Sequence, residues 1–168
     1  PLVKRTMQCT VLGSGTSHGI PVIGCSCPVC TSTEKKNNRT RSSLWIKHNN
    51  QSIIIDTATD FRTQALREGI TTVDAIFLTH AHADHIHGLD DIRPLSYNKK
   101  IPVFGSEETL REVRSRFDYI FRSTQRGGGK PNIELCPIKN ESITFDEITV
   151  TPIPVKHGEL DIFAYRVN

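Results

Sequence analysis

The chain has 168 residues, enough for one domain with a sizeable core, since a chain of about 150 residues buries roughly two thirds of its unfolded surface. Lys and Arg total 21 and Asp and Glu 18, and this net charge of +3 is too small to indicate nucleic-acid binding, although it is compatible with an anionic substrate. No run reaches the roughly 18 apolar residues of a membrane span, and the first ten residues lack the apolar stretch of an export signal, so we predict a cytoplasmic protein without a membrane partner.

The first half of the chain predicts strands and one helix separated by polar turns. Residues 7–17 predict a short strand that runs into a Gly/Ser turn, and residues 42–57 predict a hairpin with a polar tip at 48–51. Residues 59–69 place apolar side chains at helical spacing between a Thr-Asp start and a Gly stop. Residues 73–80 form an apolar run typical of a buried strand.

The second half continues this alternation and then becomes rich in strands. A turn of helix is predicted after His85, followed by a strand at 101–105 and a helix at 106–121 that Ser106 caps. Three further strands are predicted at 133–138, 141–155 and 162–168. The pattern indicates an α/β fold with a mixed sheet rich in hairpins.

One short segment, Leu78 to Asp91, contains four histidines and three aspartates directly after an apolar run. Its central pattern is His80-x-His82-x-Asp84-His85. The end of a strand is rigid, and a loop that folds back from it can direct alternate side chains to one point and the next pair to a neighbouring point. Imidazoles and a carboxylate in this arrangement favour two catalytic divalent metals, zinc or manganese. The alternative is a polar surface loop with incidental histidines, which the number of histidines disfavours.

Residues 79–88, THAHADHIHG, resemble the His-x-His-x-Asp-His signature of the metallo-β-lactamase superfamily. Upstream, SIIIDT resembles the family's strand that ends in an aspartate, and downstream PIPVKHGE resembles the segment that delivers a further histidine. The resemblance implies an αββα sandwich with mixed sheets, formed by residues 1–168 as a single domain. It also implies hydrolysis by a metal-activated water.

The same resemblance implies a set of metal ligands and a neighbour of the site. The ligands would be His80, His82 and His157 for one metal and Asp84 and His85 for the other. Asp56 would lie beside them. The residues after His157 offer no counterpart of the family's bridging aspartate and last histidine, so we expect the sequence to represent the first two thirds of such a domain. We therefore also expect weaker binding of the second metal, little activity of this chain alone, and self-association into a homo-oligomer through an uncovered sheet edge.

A second cluster, Cys25-x-Cys27-x-x-Cys30, lies in a Gly- and Pro-rich loop. Three of the five cysteines fall within six residues, which indicates metal ligation rather than disulfides in a reducing compartment. We predict a structural zinc on these three thiolates. Random clustering and a redox pair are the alternatives, because the fourth ligand is not assigned. Cys136 is one candidate for it, but its predicted strand favours a core thiol.

The cysteine loop, followed by KNNRTRSSLWI, resembles one branch of the superfamily, which includes the cyclic phosphodiesterase of the carbon-phosphorus lyase pathway. This resemblance implies a small or cyclic phosphodiester as substrate. A tRNA-processing nuclease of the same superfamily is an alternative, but the cysteine loop and the lack of a long basic insertion with interleaved aromatics argue against a nucleic-acid partner. A metal-binding module without catalytic activity is a further alternative.

The implied chemistry assigns roles to individual side chains. Metals would lower the pKa of water from about 16 towards neutrality, and Asp84 would act as the catalytic residue that takes or orients the water's proton. His87 could line the pocket, and Arg93 could bind a substrate phosphate through its planar guanidinium. The alternatives are an exposed histidine at a helix start and an ion pair of Arg93 with Asp90 or Asp91.

Overall fold

The computed structural model describes residues 6–123 and 129–168 and is built around a six-stranded sheet. Its strands are β1 (Gln8–Gly13), β2 (Ser43–His48), β3 (Gln51–Ile55), β4 (Ala75–Phe77), β5 (Ile101–Gly105) and β6 (Ile133–Pro137), which neighbour one another in chain order. The pairs β1–β2 and β2–β3 are antiparallel, whereas β3 to β6 run parallel. The predicted hairpin is confirmed, with Asn49 and Asn50 at its turn.

A second, three-stranded sheet is antiparallel throughout. It consists of β7 (Ile143–Phe145), β8 (Ile148–His157) and β9 (Leu160–Val167). The strand predicted at 141–155 is therefore two strands, because the chain turns at Asp146, whose φ of 53° lies in the left-handed region that aspartate tolerates. The last pair of the β8–β9 hairpin is His157 with Leu160, so this histidine stands at the turn.

The helices are α1 (Phe61–Glu68), α2 (Ala83–Ile86), α3 (Glu107–Arg116) and α4 (Asp118–Phe121), with 3-10 helices at Lys35–Asn37 and His87–Ser96. Ser106 caps α3 as predicted, since its hydroxyl accepts the N–H of Thr109. The single helix predicted over 106–121 is wrong, because the chain leaves helical geometry at Phe117, which is buried. Packing rather than local propensity sets this helix end. In the described ranges no helix has the length and apolarity needed to cross a bilayer.

The helical turn predicted after His85 in fact begins at Ala83, so both Asp84 and His85 lie on it. His82 precedes the turn in an extended conformation, with ψ of 149°. A carboxylate in the first turn of a helix is favoured by the exposed N–H groups there. The backbone changes from extended to helical at this point, so the side chains of Asp84 and His85 point in a different direction from those of His80 and His82.

Apolar side chains pack on both faces of the six-stranded sheet. Ile76 of β4 faces the helices and packs in a cluster with Leu110 and Val113 of α3. Phe77, the next residue, faces the second sheet and packs with residues such as Ile148. Neighbouring strand residues point to opposite faces, so β4 is buried on both sides and its sequence is a continuous apolar run. The predicted α/β fold with a mixed sheet is confirmed.

Candidate metal centre

The candidate site lies at the edge of the sheet where the parallel strands end. Asp56 follows β3, and the segment Thr79–His85 follows β4. The carboxyl ends of parallel strands meet at one edge, which is where such sheets place their ligand sites. The backbone N–H of Asp56 donates to the carbonyl of Phe77 at 2.9 Å, so the two strand ends continue to pair beyond the regular ladder. The sequence motif is therefore held next to Asp56.

The second sheet reaches the same edge from the other side. The backbone N–H of Phe163 in β9 donates to the carbonyl of Thr79 at 3.0 Å. The hydroxyl of Tyr165 donates to the carbonyl of Leu78 at 2.8 Å. These two bonds attach β9 to the start of the histidine segment and bring His157, at the end of β8, beside it.

Three histidines converge at this edge. His80, His82 and His157 each offer one ligand atom, and these atoms lie within 4.8 Å of one another. The ring centroids of His80 and His82 are 4.5 Å apart, and each is 5.4 Å from that of His157. Burial, followed by the neighbouring imidazoles, lowers the pKa of His80 to about 4. His80 is therefore neutral at physiological pH, the form in which an imidazole can bind a metal.

The buried carboxylate of Asp56 orients two of the imidazoles. Its Oδ1 accepts the backbone N–H of Thr79 at 2.8 Å, and its Oδ2 accepts the Thr79 hydroxyl at 2.8 Å and lies 2.7 Å from Nδ1 of His85. Because Thr79 has only one hydroxyl proton, its 2.9 Å contact with Nδ1 of His80 requires the proton to be on the imidazole. Both rings then keep the lone pair of Nε2 for a metal, the usual arrangement of metal-binding histidines.

Asp84 and His85 form a second pair of donors beside the three histidines. Nε2 of His85 lies 3.3 Å from Oδ2 of Asp84, and the His85 ring centroid is 4.2 Å from that of His80. With the Nδ1 proton directed to Asp56, the two facing atoms are both acceptors, an arrangement that a cation stabilises. Burial lowers the pKa of His85, but the hydrogen bond to Asp56 and the charges of Asp56 and Asp84 outweigh it, so this pKa is raised. The described residues thus offer three imidazoles for one divalent ion and two donors for a neighbouring one, which agrees with the weaker second site expected from the sequence.

The histidines face a cavity of about 560 Å³, a size typical of small-molecule sites. Its lining also includes Thr16 and Ser17, from the loop after β1, and Ser42, the residue before β2. Arg41 holds the loop after β1 in place. Its Nε donates to the carbonyl of Ser17 at 3.2 Å, and its Nη1 pairs with Asp60 at 3.0 Å. The lining of the cavity therefore combines candidate metal ligands with residues that carry hydroxyl groups.

His87 and Arg93, the two weaker candidates, are not among the described residues that line the histidine cavity. His87 is exposed, and its ring lies edge-on to Phe117 with 6.1 Å between centroids. Arg93 donates to Asp90 at 2.8 Å and to the carbonyl of Gly129 at 2.9 Å, and it lines a separate cavity of about 360 Å³. Arg93 thus forms the ion pair that was the alternative to phosphate binding.

The three loop cysteines also converge. The sulfur atoms of Cys25, Cys27 and Cys30 lie within 4.8 Å of one another, and the N–H of Val22 donates to the Cys30 sulfur at 3.4 Å. Hydrogen bonds, first from the backbone N–H of Cys30 and then from the Cys25 and Cys30 side chains, lower the pKa of Cys27 to about 7, which favours the thiolate that binds metal. Cys136 lies on β6, is half-buried and does not belong to this cluster of described residues.

We predict that replacing Cys25, Cys27 and Cys30 together with serine removes one equivalent of zinc per chain, because serine hydroxyls do not replace thiolates as ligands. Elemental analysis of the purified protein measures this loss, and the histidine centre should keep its metal. Cys136→Ser is the matched control and should leave the zinc content unchanged. An unchanged zinc content in the triple variant would show that the loop is not a metal site.

The chain is similar in sequence and fold to known proteins. Residues 51–168 match the family model of the β-lactamase superfamily domain. The structure of a diphosphatase from the PhnP family is 42% identical, with a TM-score of 0.87 over 96% of this chain and 62% of that one. An octanoyltransferase of Porphyromonas gingivalis is 40% identical over 96% of this chain but only 33% of its own length. Zn²⁺-bound PqqB from Methylobacterium extorquens, at 20% identity, shares the fold with a TM-score of 0.70 over 88% of this chain and 55% of that one.

The chain spans less than two thirds of each of these three relatives. The region matched by the family model nevertheless includes Asp56, the histidine segment after β4 and His157, which the structure brings to one edge of the sheet. The match to the PhnP-family structure extends further towards the N-terminus, since it covers 96% of the chain. The chain therefore belongs to the metallo-β-lactamase superfamily, in the branch that contains the PhnP family.

Proposed function

We propose that the protein is a metal-dependent hydrolase that cleaves a phosphodiester bond in a small substrate. The observation that carries this proposal is the convergence of His80, His82 and His157 within 4.8 Å at the wall of a 560 Å³ cavity. Similarity to a PhnP-family diphosphatase supports chemistry at phosphorus. The name of the octanoyltransferase relative is not carried over, because the match leaves most of that protein's length unaccounted for.

The geometry of the donors supports a division of the metal-binding roles between two sets of residues. His80, His82 and His157 would hold one divalent metal, and Asp84 with His85 would hold the other, each metal being zinc or manganese. When bound, the metals supply a hydroxide nucleophile near neutral pH and the Lewis acidity that polarises a phosphoryl oxygen.

The side chains of this chain supply orientation and proton transfer. Asp56 keeps a proton on Nδ1 of His85 and, through Thr79, on Nδ1 of His80, so both rings present Nε2 to the cavity edge. A carboxylate oxygen of Asp84 accepts the proton of the attacking water. Thr16, Ser17 and Ser42 in the cavity lining offer hydrogen bonds to the part of the substrate that does not react, and the cavity volume restricts that part to a small group.

A diphosphate is a second candidate substrate, favoured by the similarity to the PhnP-family diphosphatase. Its phosphoanhydride bond requires the same attack at phosphorus, and bound metals would supply the same Lewis acidity for its leaving group. The two candidates differ in the charge of the departing group, which is larger for a phosphate than for an alcohol.

The test is an assay of the zinc- or manganese-loaded intact protein, rather than of the 168-residue chain alone, against an aryl phosphodiester, a 2′,3′-cyclic nucleotide and a dinucleoside diphosphate. We expect metal-dependent hydrolysis of the diesters, loss of activity with chelator and its recovery on adding metal, with His82→Ala as the inactive control. Cleavage of a thioester or a lactam without diester hydrolysis would contradict the proposal. Cleavage of a tRNA precursor in preference to the small diesters would favour the nuclease alternative, and inactivity with both metal sites occupied would favour a binding module.

A further inference from the structure

Arg116, the last residue of α3, reaches the histidine segment from outside the sequence motif. Its Nη1 donates to the carbonyl oxygen of Ala81, and its Nη2 donates to the carboxylate of Glu112 at 3.2 Å. Ala81 stands between His80 and His82, and its side chain packs at the margin of the helical core. One guanidinium therefore holds the residue that links two of the three converging histidines.

The segment His80–His82 has no helical or strand structure of its own. The bonds to Leu78 and Thr79 fix the chain before it, and α2 fixes it from Ala83 onwards. Between these points the carbonyl of Ala81 is tied to α3. His82 is exposed, so neighbouring side chains restrain its ring only weakly, and its direction depends on the backbone.

The positive charge of Arg116 disfavours binding of a metal cation at the nearby histidines. A guanidinium near metal ligands repels a divalent cation, and Glu112 offsets only part of that charge because the pair is half-exposed. Two roles of Arg116 therefore predict effects of opposite sign. If charge dominates, its removal tightens metal binding, whereas if the hydrogen bond to Ala81 dominates, its removal weakens metal binding.

We propose that Arg116 is a positioning residue for the metal centre. It holds the Ala81 carbonyl so that the imidazoles of His80 and His82 keep the spacing that binds a metal, and this effect outweighs the repulsion from its charge. The inference rests on the proposed function in assigning these histidines to a metal. It extends the centre to α3, which follows the next parallel strand.

The test measures zinc affinity of the whole protein by competition with a chromophoric chelator. Arg116→Met removes the donors but keeps a long stem, and we expect zinc to bind about 10-fold more weakly, as for other residues that orient metal ligands. Arg116→Lys keeps the charge and one donor and should give an intermediate loss. Arg111→Met is the matched control, because Arg111 is on the same helix, has a side chain 68% exposed and pairs only loosely with Glu108 at 3.9 Å; its zinc affinity should not change.

The melting temperature of the metal-free variants distinguishes a role of Arg116 in positioning the histidines from a role in the stability of the fold. A lower Tm of Arg116→Met with unchanged zinc affinity would show a merely structural role and overturn the inference, as would tighter zinc binding. If Arg116→Met fails to fold, Arg116→Lys decides the question by the same criterion. A wild-type protein that binds zinc at the histidines but hydrolyses no phosphodiester would contradict the proposed function and leave the positioning role intact.

Discussion

The Asp84→Asn variant will lose about a hundredfold to ten-thousandfold in kcat against an aryl phosphodiester, the range typical for removal of a general base. The amide has the shape of the carboxylate but does not take up a proton near neutral pH. It also places an uncharged group opposite Nε2 of His85, where the carboxylate oxygen lies at 3.3 Å, and so weakens the second metal position. The measurement is kcat at saturating metal, with metal content determined on the same samples.

Asp90→Asn is the matched control for this variant, because Asp90 belongs to the same acidic segment but pairs with Arg93 away from the histidine cavity. Its kcat should stay within about twofold of wild type, as expected for the loss of a half-exposed ion pair. A decrease of less than tenfold in Asp84→Asn at full metal occupancy would assign the proton transfer to another group.

The Asp56→Asn variant is expected to bind zinc about 10- to 100-fold more weakly, although Asp56 would touch no metal. Oδ2 of Asp56 accepts from the Thr79 hydroxyl and faces Nδ1 of His85, and an amide nitrogen in its place would oppose donors with a donor. Reversing the amide would instead oppose the backbone N–H of Thr79. One buried donor is unpaired in either orientation, which costs about 1–3 kcal/mol of folding stability. Zinc competition and denaturant unfolding measure the two effects.

Asp74→Asn provides the comparison for Asp56→Asn. Asp74 also accepts a backbone N–H, that of Ser52 at 2.7 Å, and pairs with Lys99, but it lies at the opposite end of β3 from the histidines. Its substitution should lower stability without changing zinc affinity. Equal zinc affinity in Asp56→Asn and wild type would contradict the role of Asp56 in setting the imidazole tautomers.

The parts of the site that were predicted from sequence are those that are local in the chain. His80, His82, Asp84 and His85 span six residues directly after an apolar strand, so one strand end suffices to place them together. The hairpin around Asn49 and the cap of α3 are likewise local and agree with the structure. His157 was assigned by family resemblance, since it lies 72 positions beyond His85 and no local pattern brings it to that strand end.

The remaining features depend on how separate elements pack. Arg116 reaches Ala81 across 35 positions of sequence, and this contact joins the C-terminal end of α3 to the segment after β4. Arg93 is close to the motif in sequence but turns into a different cavity, because a 3-10 helix directs it there. The role of Thr79 follows from its hydroxyl, which donates its one proton to Asp56 and accepts the proton of His80 Nδ1, and residue spacing does not reveal this.

The attachment of β9 to the histidine segment makes local opening of the second sheet inseparable from disassembly of the centre. The amide of Phe163 can exchange its hydrogen only when it leaves the carbonyl of Thr79, and Thr79 is the residue that links Asp56 to His80. The free energy of opening β9 therefore sets the fraction of molecules in which the imidazoles are aligned. A metal bound by His157 and the segment after β4, as proposed above, would cross-link the two sheets, and its binding energy would add to the protection of β9 against hydrogen exchange.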